Sequence, residues 1–193
     1  VTGLVQVPTN HTTHAYDGFY KPLIGAGDSV SNWVYKTLNI KIDTRAPRST
    51  VSGVPAGWTN QQVLADISAI DYGSGVDTSY YDLDGNGLTE VPADGLLLIE
   101  SPGIHTLEYW SQDNCVDIPN QETAKTVQVL IDFIGPDAMP TNNVTVRKGA
   151  RATFKYTLND DFSPTCTVKL VIKKKSKVVK TVNLGTKDST FMV

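Results

Sequence analysis

"KTLNIKIDTRAP" at 36–47 is matched by "KTVQVLIDFIGP" at 125–136, which sets Ile131 at an offset of 89 residues from Ile42. A chain that repeats at this distance is built of modules, and the spacing is close to one immunoglobulin-size sandwich of roughly 100 residues. In both copies an alternating apolar run ends on Ile-Asp, and a proline follows. "IDxxxP" therefore reads as a last strand handing over to a linker that the proline ring stiffens. Three segments follow: 1–43 as the tail of one module, 44–132 as a whole module, and 133–193 as the first part of another.

The runs between the repeats are strands by period. In "QQVLADISAID", Val63, Ala65, Ile67 and Ala69 fall on one face, with Asp66 and Ser68 on the other. "ATFKYTL" places Ala152, Phe154, Tyr156 and Leu158 together, and "KTVQVLID" does the same with Val127, Val129 and Ile131. Turn signals separate them: "PAG" at 55–57, "YGSG" at 72–75, "DGNG" at 84–87 and "SPG" at 101–103. Helical periodicity is essentially absent. The expected fold is all-β, a tandem of immunoglobulin-like antiparallel sandwiches.

Composition narrows the function classes. With 40% hydrophobic and 19% charged residues the chain is globular in kind. No apolar run reaches the ~18 residues of a membrane helix, and "VTGLVQVPTN" does not read as a signal peptide. The net charge of −3 gives no reason to expect nucleic acid. Cys115 and Cys166 fall in different segments, so no disulfide between them is expected; Cys166 shares its phase with Val168, Leu170 and Ile172 and reads as a buried small hydrophobe.

Residues 44–132 resemble the bacterial Ig-like repeats of the OmpL47 type. The places that carry the resemblance are Ala46–Pro47, Gly57–Trp58 with Asn60, Asp71, Gly73–Ser74–Gly75–Val76, Asp84–Gly85, Gly103, His105–Thr106, Tyr109 and Asp113–Asn114. The chain departs from that pattern after Asn114, where "CVDIPN" replaces a short "A-G-N". Residues 143–185 are similar to another bacterial Ig-like module found at the ends of such arrays. The resemblance implies secreted or surface-anchored proteins in which these modules are spacers, stalks or accessory domains.

Few residues suggest chemistry. "DLDGNG" at 82–87 begins like a calcium loop, with Asp82, Asp84 and Asn86 at ligand positions 1, 3 and 5. Position 12, which needs a bidentate glutamate, is Ala93, so a hairpin corner between "YYDL" and "LTEV" is preferred and calcium is the alternative. His11 and His14, with Asp17, have an H-x-x-H spacing that converges only in a turn or helix; polar loop residues are the preferred reading. His105 is expected to be structural, and Asp160–Asp161 in "NDDFSP" to cap a turn. No G-x-S-x-G elbow or Cys–His–acid set is present, so no enzyme is expected. Asn10 and Asn143 open N-glycosylation patterns that carry little meaning in most bacteria.

Two features bear on partners. Lys173–Lys175, Lys177 and Lys180 read as a solvated hairpin tip that discourages edge pairing, the alternative being contact with an anionic cell-wall polymer or glycan. Tyr16, Phe19, Tyr20, Trp33 and Tyr35, and separately Tyr80, Tyr81, Tyr109 and Trp110, would form a sugar platform if exposed, whereas Trp58 reads as a core or interdomain plug. Both end segments are shorter than a sandwich, so the chain is expected to be part of a longer array, the alternative being strand sharing between subunits in head-to-tail fibres. The function expected is that of an extracellular, non-catalytic spacer without cofactor, in a stalk, coat or filament, next to other Ig-like modules. A carbohydrate- or cell-wall-binding accessory module of an adhesin or glycoside hydrolase is the alternative.

Overall fold

The structure, a computed structural model, describes residues 9–10 and 12–190. The described ladders are antiparallel, with isolated parallel bridges at Thr59–Ile131 and Asn159–Thr190, and the described residues contain no helix. The chain divides into two compact units, one of 1–56, 63–100 and 104–129, the other of 57–62, 101–103 and 130–193.

The first unit opens with two small ladders. β1 (Gly18–Tyr20) pairs with β4 (Ile40–Ile42), and β2 (Leu23–Gly27) forms a hairpin with β3 (Trp33–Thr37). Two larger sheets follow. One has the order β5-β6-β9, from Arg48–Ser52, Val63–Ile70 and Leu96–Ile99. The other is ordered β11-β10-β7-β8, from Lys125–Ile131, Gly103–Asp113, Val76–Leu83 and Thr89–Glu90. Their inner faces meet: Ser49 of β5 and Ser111 of β10 have their hydroxyl oxygens 2.6 Å apart. The arrangement is sandwich-like.

Alternation decides what that interior contains. Val63, Ala65 and Ile67 of β6 are buried while Leu64, Asp66 and Ser68 face outward, as the period predicts. Val129 and Ile131 of β11 are fully buried. On β10 the buried face runs His105, Leu107, Tyr109, Ser111, Asp113: apolar in the middle and polar at both ends. That strand sets the sites below.

In the second unit, β12 (Asp137–Pro140) pairs with β13 (Tyr156–Asn159), and β14 (Thr165–Lys174) with β15 (Lys177–Asp188). The "ATFKYTL" strand is shorter than its pattern: β13 starts at Tyr156 and buries Leu158, while Phe154 stays exposed ahead of it. Thr59 is stitched to the end of β11, donating its N–H to the Leu130 carbonyl and accepting from Asp132 N–H. Trp58 is 45% exposed and tilts against Phe162, ring centroids 5.2 Å apart.

Candidate functional site

The linker that follows β4 is gripped from two sides. Asp43 faces the "YGSG" turn, where its carboxylate accepts the Ser74 N–H. It occupies the space a side chain at 73 would need: a Cβ there would stand 2.1 Å from Asp43 Cγ, so only glycine admits this approach. The Asp43 backbone carbonyl accepts the Asn120 side-chain amide at 3.2 Å and lies 3.5 Å from Cys115 Sγ. Next in the chain, Thr44 is buried and faces the other way. Its hydroxyl donates to Asp17 Oδ1 at 2.7 Å and stands 2.7 Å from His14 Nδ1, so His14 carries its proton on that nitrogen. Arg45 completes the grip with an ion pair to Asp17 at 3.3 Å.

Asp113 forms the floor beneath Asp43. It is fully buried at the polar end of β10, and its carboxylate accepts the Asn120 N–H, the Asn120 amide and the Cys115 N–H at 2.7, 2.6 and 3.2 Å. Burial resists its ionisation, but these hydrogen bonds outweigh it and hold the carboxyl below its ordinary value. Burial also pushes the Cys115 thiol up, helped by the neighbouring carboxylates, so it stays protonated and is placed to donate to the Asp43 carbonyl. Asp43, Asp113 and Cys115 bring one donor atom each within 4.8 Å of one another. The oxygens already accept several N–H groups and the sulfur keeps its proton, so what this set does is fasten three loops together.

Deeper in the same interior, a second polar group ties the two sheets. Ser111 Oγ lies 2.6 Å from both Ser49 Oγ and Ser79 Oγ. Glu122 accepts the Ser49 and Ser111 N–H groups and pairs with Lys125, which also donates to the Ser49 carbonyl at 2.8 Å. Burial opposes the charge on Glu122, yet Lys125 and the Ser49 N–H hold its carboxyl below the usual value. The sequence reading missed this group, since Glu122 sits in a loop without any motif. Its one signal is an acid three residues before a lysine that opens an apolar strand.

The "DLDGNG" residues are engaged by their own hairpin and by β10. Asp84 Oδ2 pairs with His105 Nδ1 at 2.8 Å and Oδ1 accepts Thr106 N–H at 2.7 Å. Asp82 Oδ1 accepts Gly87 N–H at 3.3 Å, and the Asn86 amide donates to the Leu83 carbonyl at 2.9 Å. Asp84, Gly85 and Gly87 all have positive φ, at 61°, 68° and 111°, as the turn requires. His105 is buried at this pole of β10, its structural place.

The other sequence candidates fall as follows. His11 lies outside the described residues; His14 and Asp17 join at Thr44. Asp160 caps its turn, accepting the Phe162 and Ser163 N–H groups at 3.1 and 2.6 Å. Cys115 and Cys166 are both free thiols. Lys173, Lys174, Lys175, Lys177 and Lys180 are exposed on the β14–β15 hairpin. Trp33 and Tyr35 are each 59% exposed and near-parallel, with centroids 6.0 Å apart. No family model, no curated protein and no solved structure matches the chain.

Proposed function

We propose that this chain is a tandem of Ig-like modules serving as a non-catalytic spacer in a secreted or surface-anchored bacterial protein, as a stalk, coat or filament component. One observation carries the reading: the repeated sequence is a repeated turn. Ile42 and Ile131 each end a strand with a buried side chain. Asp43 Oδ1 then accepts Arg45 N–H at 3.1 Å, and 89 residues later Asp132 Oδ1 accepts Ile134 N–H at 3.2 Å. The same strand end and the same aspartate turn recur, each followed by a proline.

A three-on-four strand set agrees with a seven-stranded Ig-like module. The polar groups gathered around Asp43 and Thr44 suit a joint that transmits orientation, and in this reading they need no substrate or cofactor. Neighbouring Ig-like modules are the partners, and the cell surface is the place of action.

Pulling the whole chain between two handle domains tests it. A spacer yields a resistant unfolding event that releases about 300 Å of contour for an 89-residue repeat. A chain that extends without any resistant event is not a mechanical spacer.

Glycan binding is a second reading, favoured by Trp33 and Tyr35. Their rings lie over Gly25 and Gly27, where a Cβ would stand 2.6 and 2.7 Å from ring carbons, leaving the other ring faces to solvent. Such flat faces suit stacking against a pyranose. Retention on insoluble polysaccharide that Trp33→Ala abolishes would support this reading, and equal retention of both proteins would remove it.

A further inference from the structure

The net charge of −3 conceals a steep division. From Val51 to Ala124 the chain has twelve acidic residues and no lysine or arginine. From Met139 to Lys187 it has eleven lysines and arginines and two aspartates. Charge segregated on this scale acts on association.

Each half carries a surface that focuses its sign. In the first unit a groove of about 550 Å³ is lined by Asp66, Asp77, Glu90 and Asp94, all exposed, with Val76 and Val91 between them. Two half-open strand edges frame it. β9 ends its pairing with β6 at Asp66, and β8 pairs with β7 only at Tyr80 and Tyr81. Ile67 N–H still donates to the Gly95 carbonyl and the Ser79 carbonyl accepts Val91 N–H, so the stretches left with a single strand neighbour are 68–70 beside β5 and 76–78 beside β10. In the second unit, the β14–β15 hairpin alternates lysines with exposed Val171, Val178 and Val179, and no acidic residue occurs from 162 to 187.

We infer that the lysine hairpin of one copy docks in the acidic groove of a second copy, giving head-to-tail association. The occupant is fixed by complementarity: a basic, valine-bearing ribbon matches an acidic, valine-lined groove with strand edges on both sides. The two patches differ, so the contact is heterologous and propagates until a chain end or another module stops it. This goes beyond the spacer reading, which stands if it fails.

The test uses light scattering on the whole chain, with two exposed-residue variants. One carries Lys173→Glu, Lys174→Glu, Lys175→Glu and Lys177→Glu; the other carries Asp66→Lys, Asp77→Lys, Glu90→Lys and Asp94→Lys. At low salt the unaltered chain should grow in mass between about 10 μM and about 1 mM. Salt near 0.5 M should weaken that growth at least ~10-fold. Each variant alone should stay monomeric, because its own patches now repel. Mixed, they should associate again, because the second variant's lysine hairpin still matches the first variant's acidic groove and their two reversed patches attract as well. A flat monomer mass for the unaltered chain, or variants that grow as it does, would overturn the inference. So would a mixture that stays monomeric, or a monomer that merely expands in salt, which would place the contact within one chain.

Discussion

The Asp43 carboxylate occupies the space where Gly73 would carry a side chain, 2.1 Å from the ideal Cβ position, and accepts the N–H of the residue beyond it. Linker and turn are thereby interlocked, and the consequence is measurable. Gly73→Ala should cost about 1–3 kcal/mol by forcing the aspartate out, read as a lower urea midpoint. Gly57, whose added Cβ would meet nothing within 4 Å, is the control, and Gly57→Ala should stay within about 0.5 kcal/mol.

Acid should loosen the two-sheet tie through Glu122. Its folded-state pKa lies below the ordinary 4.5, so the folded protein binds fewer protons there than the unfolded chain. The stability it contributes is present above about pH 4.5 and is lost as pH falls through the lowered folded value. Urea midpoints between about pH 7 and pH 3 should fall in this window, and Glu122→Gln should flatten that part of the profile. At pH 7 the same variant should cost about 1–3 kcal/mol, because Ser49 and Ser111 N–H lose a charged acceptor.

Calcium should leave the hairpin corner unchanged. Both Asp84 oxygens are engaged by His105 and Thr106, and the alanine at 93 offers no ligand. Thermal midpoints with calcium and with chelator should coincide; an ion at 100 times its Kd would add about 2.7 kcal/mol. Such a rise, abolished by Asp82→Ala, would make Asp82, Asp84 and Asn86 a calcium site.

Thiol chemistry checks the joint from another side. Cys115 is held protonated and Cys166 is buried, so both should react slowly with Ellman's reagent at pH 8 and rapidly in urea. Asp43→Ala should speed the reaction of Cys115 and leave Cys166 as it was.

Period-two patterns are a backbone property, which is why Val63–Ala65–Ile67 and Val127–Val129–Ile131 are legible in the sequence. The DGNG corner was legible too, because positive φ selects glycine and aspartate. Asp43 was visible only as part of a repeat; its contact with Gly73 joins positions thirty residues apart, and no local pattern encodes that distance. Ser49, Ser79 and Ser111 read as polar strand residues, and nothing in their neighbours shows that they face inward together. Phe154 shows the limit of alternation, since the run around it has the strand period without a partner strand.

A distance measurement between spin labels on Lys41 of β4 and Glu108 of β10, both exposed, tests the joint most directly. The unaltered chain should give one narrow distribution and Asp43→Ala a broad one. A broad distribution in the unaltered chain, or one that Asp43→Ala leaves narrow, would contradict the claim that this aspartate fastens the preceding strands to the sandwich.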